Sequence, residues 1–121
     1  MSQQDVSSLD KALNDAILGG DILGAFETYY AEDVVMQENA GEPHRGKDVN
    51  RKREEEFVAS VKEFHGAEVK ASATSGEVSF SEWVMDVTFQ DGNRTQLQQV
   101  TVRRWRGGQV VHERFYYDTA G

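Results

Sequence analysis

The chain has no cysteine, so neither a disulfide framework nor thiolate chemistry is open to it. No apolar run approaches the ~20 residues needed to cross a bilayer. The opening stretch, MSQQDVSSLD, lacks the basic start and apolar core of a secretion signal. Basic side chains are scarce: 13 Lys and Arg stand against 21 Asp and Glu, a formal net charge of −8. That field repels phosphate backbones and argues against nucleic acid as a partner. No glycine-rich loop follows a strand, which argues against nucleotide cofactors. The histidines, His44, His65 and His112, show no metal-ligand spacing, and no nucleophile elbow gathers Ser, His and Asp. A soluble cytoplasmic protein with no cofactor, no metal and no membrane contact is the expectation.

What remains is enough for one domain over residues 1–121, able to bury roughly two-thirds of its unfolded surface. Ser7 or Ser8 can cap a first helix carrying Leu9, Leu13, Ala16 and Ile17 at helical spacing. Gly19-Gly20 stops it, and Asp21 can cap a second helix that places Ile22, Leu23, Phe26 and Tyr30 on one side. A short strand, Val34 to Gln37, leads to Glu38 and then to a turn, Gly41-Glu42-Pro43, which holds the only proline. The spacing predicts a third helix from Lys47 to Phe64 with Val49, Phe57, Val61 and Phe64 facing inward. On it, Arg51-Lys52-Arg53 is followed by Glu54-Glu55-Glu56, which reads as a solvated face of paired charges.

After Gly66 the period changes from helical to alternating. Four strands fit, Glu68–Thr74, Val78–Phe89, Arg94–Trp105 and Val110–Tyr117, joined at Ser75-Gly76, Asp91-Gly92-Asn93 and Gly107-Gly108. Helices first and an antiparallel meander afterwards make an α+β fold with the helices on one face. One side of the meander carries Trp83, Met85, Leu97, Gln99, Thr101, Arg103, Glu113, Phe115 and Tyr117. The other carries Gln98, Val102, Arg104, Arg114 and Tyr116. Both sides hold large amphipathic side chains, so one is expected to line a pocket and the other to form a homodimer interface.

The order of elements, with the passages FETYYAEDVVMQENAGEPHRGKD and GGQVVHERFYYD, resembles the cone-shaped NTF2-like superfamily and its SnoaL-like group. The resemblance implies three helices on a curved, mainly antiparallel sheet, with a pocket at the wide end of the cone. Ketosteroid isomerases of this fold place an aspartate base where Glu38 falls. Their two oxyanion donors align with Leu13 and Thr101, and the polyketide cyclases' aspartate aligns with Phe115, so neither reaction is implied in its familiar form. Limonene epoxide hydrolase, a cousin, uses an Asp-Arg-Asp arrangement for which the sequence offers no aligned motif.

Glu38 is the first candidate for catalysis, since a carboxylate beside Met36, Phe57, Trp83 and Met85 would be desolvated and made more basic. It could instead cap the turn or pair with Arg45 or Arg51. Arg103 and Glu113 could bind a substrate carboxylate or polarise a carbonyl, or could form a salt bridge within the sheet. Gln99 and Tyr117 could orient a ligand oxygen, Thr101 shares their face, and Phe115 joins the pocket wall. The expected ligand is a small apolar or carbonyl-containing molecule. The expected chemistry is cofactor-free proton transfer of the isomerase or cyclase type. The alternatives are a non-catalytic ligand binder and a dimerisation or interaction domain.

Overall fold

The computed structural model describes residues 5–118; the first four residues of the opening stretch lie outside them. Asp5 caps helix α1 (Val6–Leu18), accepting from the Ser7 amide at 3.0 Å and the Ser8 hydroxyl at 3.1 Å. The two serines expected as caps therefore serve as donors to the cap. A carboxylate can accept from both and also suits the positive end of the helix. Asp21 caps helix α2 (Ile22–Tyr29) through the Gly24 amide, as the sequence suggests.

Strand β1 (Tyr30–Glu38) starts directly at the end of α2 and is longer than the expected Val34–Gln37. Strand β2 (His44–Arg45) folds back on it. Gly46, at φ +99°, makes the corner into helix α3 (Lys47–Ser60), a conformation that glycine adopts without a Cβ clash.

Helix α3 differs most from expectation. It stops at Ser60, and Val61 and Phe64 belong to a strand rather than to an inward helical stripe. Val49, the remaining member of that stripe with Phe57, is half exposed. The side of α3 turned to the protein carries Lys47, Asn50, Glu54 and Phe57, at steps of three or four residues. Burial there is set by what the sheet and α2 present, and three of those four side chains are polar. Val49→Lys should accordingly change the unfolding free energy by less than about 0.5 kcal/mol in urea titration. A loss of about 2 kcal/mol would restore Val49 to the core.

Strands β3 (Val61–Ser75), β4 (Val78–Phe89), β5 (Arg94–Arg106) and β6 (Gln109–Tyr116) form the antiparallel meander. Gly107 and Gly108, at φ +60° and +82°, supply the left-handed two-residue turn between the last pair. The sheet order is β2-β1-β6-β5-β4-β3, with β1 and β6 parallel and every other neighbour antiparallel. The three helices pack on this sheet. Leu13, Phe26, Tyr30, Val34, Trp105 and Val110 make the core at one end, with the Phe26 and Tyr30 rings stacked 4.8 Å apart. Among the described residues no helix is long and apolar enough to cross a membrane.

Candidate functional site

Pairing across the sheet fixes which side chains meet on its helix-facing side. One row runs Met36, Glu113, Arg103, Ser79, and the next runs Glu38, Phe115, Thr101, Ser81. Gln99 pairs with Trp83, and Leu97 with Met85, farther along β5 and β4. Between these rows and α3 lies a cavity of about 510 Å³, within the range of small-molecule sites. Its walls include Met36, Phe57, Trp83, Met85, Phe89 and Phe115. Its polar lining includes Gln99, Thr101, Arg103, Glu113 and, at one end, Glu38 with Tyr117. The residues singled out in the sequence thus surround one space, although their chemical situations differ.

Glu38 is paired. Its carboxylate accepts from Arg53 Nη2 at 2.6 Å and from the Tyr117 hydroxyl, and its side chain keeps 44% of its surface exposed. Asn39 holds this end together from the left-handed region, at φ 51°. Its amide donates to the Phe115 carbonyl at 2.7 Å, and its side-chain oxygen accepts from the Tyr117 amide at 2.9 Å. The hydrogen bond that Tyr117 donates to Glu38 raises the phenol pKa.

Arg103 is buried and fully engaged. Its guanidinium donates to Glu113 Oε2 at 2.7 Å, Asp10 Oδ1 at 2.8 Å and Asn14 Oδ1 at 2.6 Å. Burial opposes its charge, but Tyr30, Glu113 and Asp10 outweigh that and raise its pKa. The Tyr30 hydroxyl donates to the same Glu113 oxygen at 2.5 Å. Burial first, and then the Glu113 charge, push the Tyr30 pKa up, so the phenol keeps its proton. Ser79 donates to Asp10 at 2.8 Å and accepts from the Trp105 indole at 2.9 Å. Asp10 and Asn14 are thus the α1 end of a buried polar network that the sequence reading did not contain. The available signal was two polar residues four apart, interleaved with Leu13 and Ile17 on one helix face.

Glu54 was also missed. It sits on the cavity wall and forms no hydrogen bond or ion pair with any described residue. Desolvation is the largest influence on it, and the Glu113 charge adds to it. Arg53 and Arg103 oppose these, and the carboxyl is pushed up to about 7. The run from Arg51 to Glu56 is therefore not a uniform solvated face. Arg51 reaches Glu27 on α2 as well as Asp48, Arg53 reaches Glu38 on β1, and Glu54 turns inward. A helical residue between Asn50 and Phe57 at steps of four and three was the signal for that inward turn.

The model of the SnoaL-like domain family matches residues 20–117. No curated protein matches the sequence. The structure is similar to that of a proposed SnoaL-like polyketide cyclase from Mesorhizobium loti, at TM-score 0.82 and 25% identity, over 94% of this chain and 100% of that one. It is similar to an NTF2-like protein of unknown function from Burkholderia pseudomallei, at TM-score 0.81 and 19% identity, over 97% and 93% of the two chains. It is also similar to an LEH-like epoxide hydrolase of M. tuberculosis, at TM-score 0.76 and 16% identity, over 93% of this chain and 82% of that one.

Proposed function

The chain belongs to the SnoaL-like domain family, and from that premise we propose that it binds a small apolar molecule in the cavity and moves a proton on its carbonyl-bearing carbon framework. No cofactor takes part. The observation that carries this reading is Glu54, an unpaired carboxyl facing an apolar cavity with its pKa raised to about 7. A group poised there can give or take a proton near neutral pH, which is what general acid–base catalysis needs.

Glu38, Arg103 and Tyr117 have supporting parts in this proposal. Glu38 and Tyr117, bonded to one another, close one end of the cavity and fix its shape. Arg103 is a positioning residue that fixes Glu113. A binder without turnover is favoured by one observation. The hydroxyls of Tyr30 and Tyr117 and the Arg103 guanidinium, which would steady an oxyanion, already donate to carboxylates. Incubating the protein with apolar ketones in deuterium oxide at pH 6, 7 and 8 separates the two. Exchange of the hydrogens beside the carbonyl, with a transition near pH 7, supports catalysis. Ligands that bind without exchange leave the binding role alone.

We also propose that two copies pair through the outer sheet face, and that they do so in the cytoplasm. Phe80, Val100 and Tyr116 are exposed there, at 38%, 40% and 42%. Register puts Arg45, Arg104 and Arg114 on one half of that face and Glu68 and Glu82 on the other. A two-fold axis sets each half against its opposite charge. Light scattering at micromolar concentration should give a dimer mass, and Val100→Glu should give a monomer. A monomeric parent protein would contradict the interface.

A further inference from the structure

The unsatisfied polar atoms of the cavity share one character. Asn50 and Glu113 are each 1% exposed and line the cavity, and each has a side-chain oxygen with no hydrogen-bond partner. The Asn50 orientation follows from its surroundings. Its amide nitrogen donates to the carbonyls of His44 and Gly46, both at 2.9 Å, which leaves Oδ1 as the free end. Glu113 gives Oε2 to Arg103 and Tyr30 and keeps Oε1 free. The partnerless Glu54 lies one turn of α3 beyond Asn50. Asn50 and Glu113 are linked through Met36: His44, whose carbonyl Asn50 holds, pairs with Met36, and Met36 pairs with Glu113, while the Glu113 charge acts directly on Glu54. Buried acceptors left unpaired are costly, so a ligand that supplies donors gains where a ligand that supplies only acceptors does not.

Charge narrows the class. Among the described residues Arg103 is the one cation hydrogen-bonded to Glu113 and Asp10, so that buried cluster carries two carboxylates on one guanidinium. Arg53 is spent on Glu38. The aromatic side chains of Trp83, Phe57 and Phe115 line the same cavity. An excess of carboxylate behind an aromatic wall is the environment in which an ammonium group is attracted.

We infer that the cavity takes a cationic ligand, a protonated amine on an apolar body, whose N–H groups meet Asn50 Oδ1, Glu113 Oε1 and the Glu54 carboxylate. The inference rests on the cavity being the ligand site and specifies which ligand class that site prefers. The ammonium takes the place of the Glu54 proton, which leaves to solvent as the ligand enters. The groups facing Glu54 are Arg53 on its own helix, Arg103 on β5, Glu113 on β6, and Tyr30 and Glu38 on β1. Among them the two arginines are already held by carboxylates, so they do not cancel the preference.

Calorimetry at pH 7 with three rigid probes of one shape tests this: 1-adamantylammonium, 1-adamantanol and 1-adamantanecarboxylate. The ammonium should bind at least ~10-fold tighter than the alcohol, and the carboxylate weakest. Comparing phosphate with Tris buffer should show proton release on ammonium binding, with affinity rising as pH goes from 6 to 8. Glu54→Gln should abolish the release. An alcohol that binds as tightly as the ammonium, or a carboxylate that binds best, overturns the amine preference while leaving the binding role intact. Failure of all three probes to bind overturns both.

Discussion

Glu54→Gln is expected to slow proton transfer by about 10²- to 10⁴-fold and, at the same time, to stabilise the fold at alkaline pH. The second effect follows from linkage. An ordinary glutamate loses its proton near 4.5, whereas Glu54 in the folded chain holds it to about 7. Between those values the folded state binds a proton that the unfolded state has shed, so stability falls as pH rises through the interval. Once the group is ionised in both states the full shift has been lost, roughly 3 kcal/mol. Glutamine has no charge to desolvate. Urea unfolding of variant and parent should therefore differ least near pH 4, with a gap that opens steadily between about 4.5 and 7 and stands in full at pH 8, where the variant is the more stable. A variant that loses rate but shows a stability difference independent of pH would assign Glu54 a role without the raised acidity constant.

Arg103→Met should cost about 3–5 kcal/mol at pH 7, because removing the cation strands two carboxylates inside the protein. Asp10 and Glu113 are 3% and 1% exposed, and Arg103 bridges them across three elements. Adding Glu113→Gln to Arg103→Met should recover part of the loss, since the second change removes one of the stranded charges. Chemical denaturation of the single and double variants at pH 7 reads both effects. A cost below about 1 kcal/mol for Arg103→Met would mean that the network is not what joins α1 to the sheet at this point.

Most of the meander was legible in the sequence because its signals are local, although β3, expected over Glu68–Thr74, runs over Val61–Ser75. Alternation from Val78 to Phe89 and from Arg94 to Trp105, with glycine at each turn, sets strand bounds and register almost to the residue. Register in turn places Trp83, Gln99, Arg103 and Glu113 on one face, and the SnoaL-like resemblance indicated the arrangement of helices on that face. The parts that were not legible depend on distance along the chain. Asp10 meets Arg103 across 93 positions and Ser79 across 69, and nothing local to α1 announces either partner.

Helix α3 failed for a different reason. Apolar periodicity pointed to Val49, Val61 and Phe64, whereas the helix turns a mostly polar face inward. Lys47 is buried there because its ammonium reaches the Glu27 carbonyl at 3.0 Å and sits over the Phe26 ring, 6.0 Å from its centre. Asn50 is buried because two carbonyls take its amide. Glu54 follows at the next turn, where the cavity rather than a partner receives it. A search for hydrophobic stripes passes over such a face. A site is one of the places where polar residues occupy core positions, so the mismatch itself carried functional information.

The measurement that bears most directly on the account is the carbon-13 titration of the Glu54 side-chain carboxyl, assigned by comparison with Glu54→Gln in protein labelled at glutamate. A midpoint near 7 is the expected result, and it would move downward when 1-adamantylammonium binds. A midpoint below about 5, unchanged by any ligand in the cavity, would contradict Glu54 as the group that moves the proton.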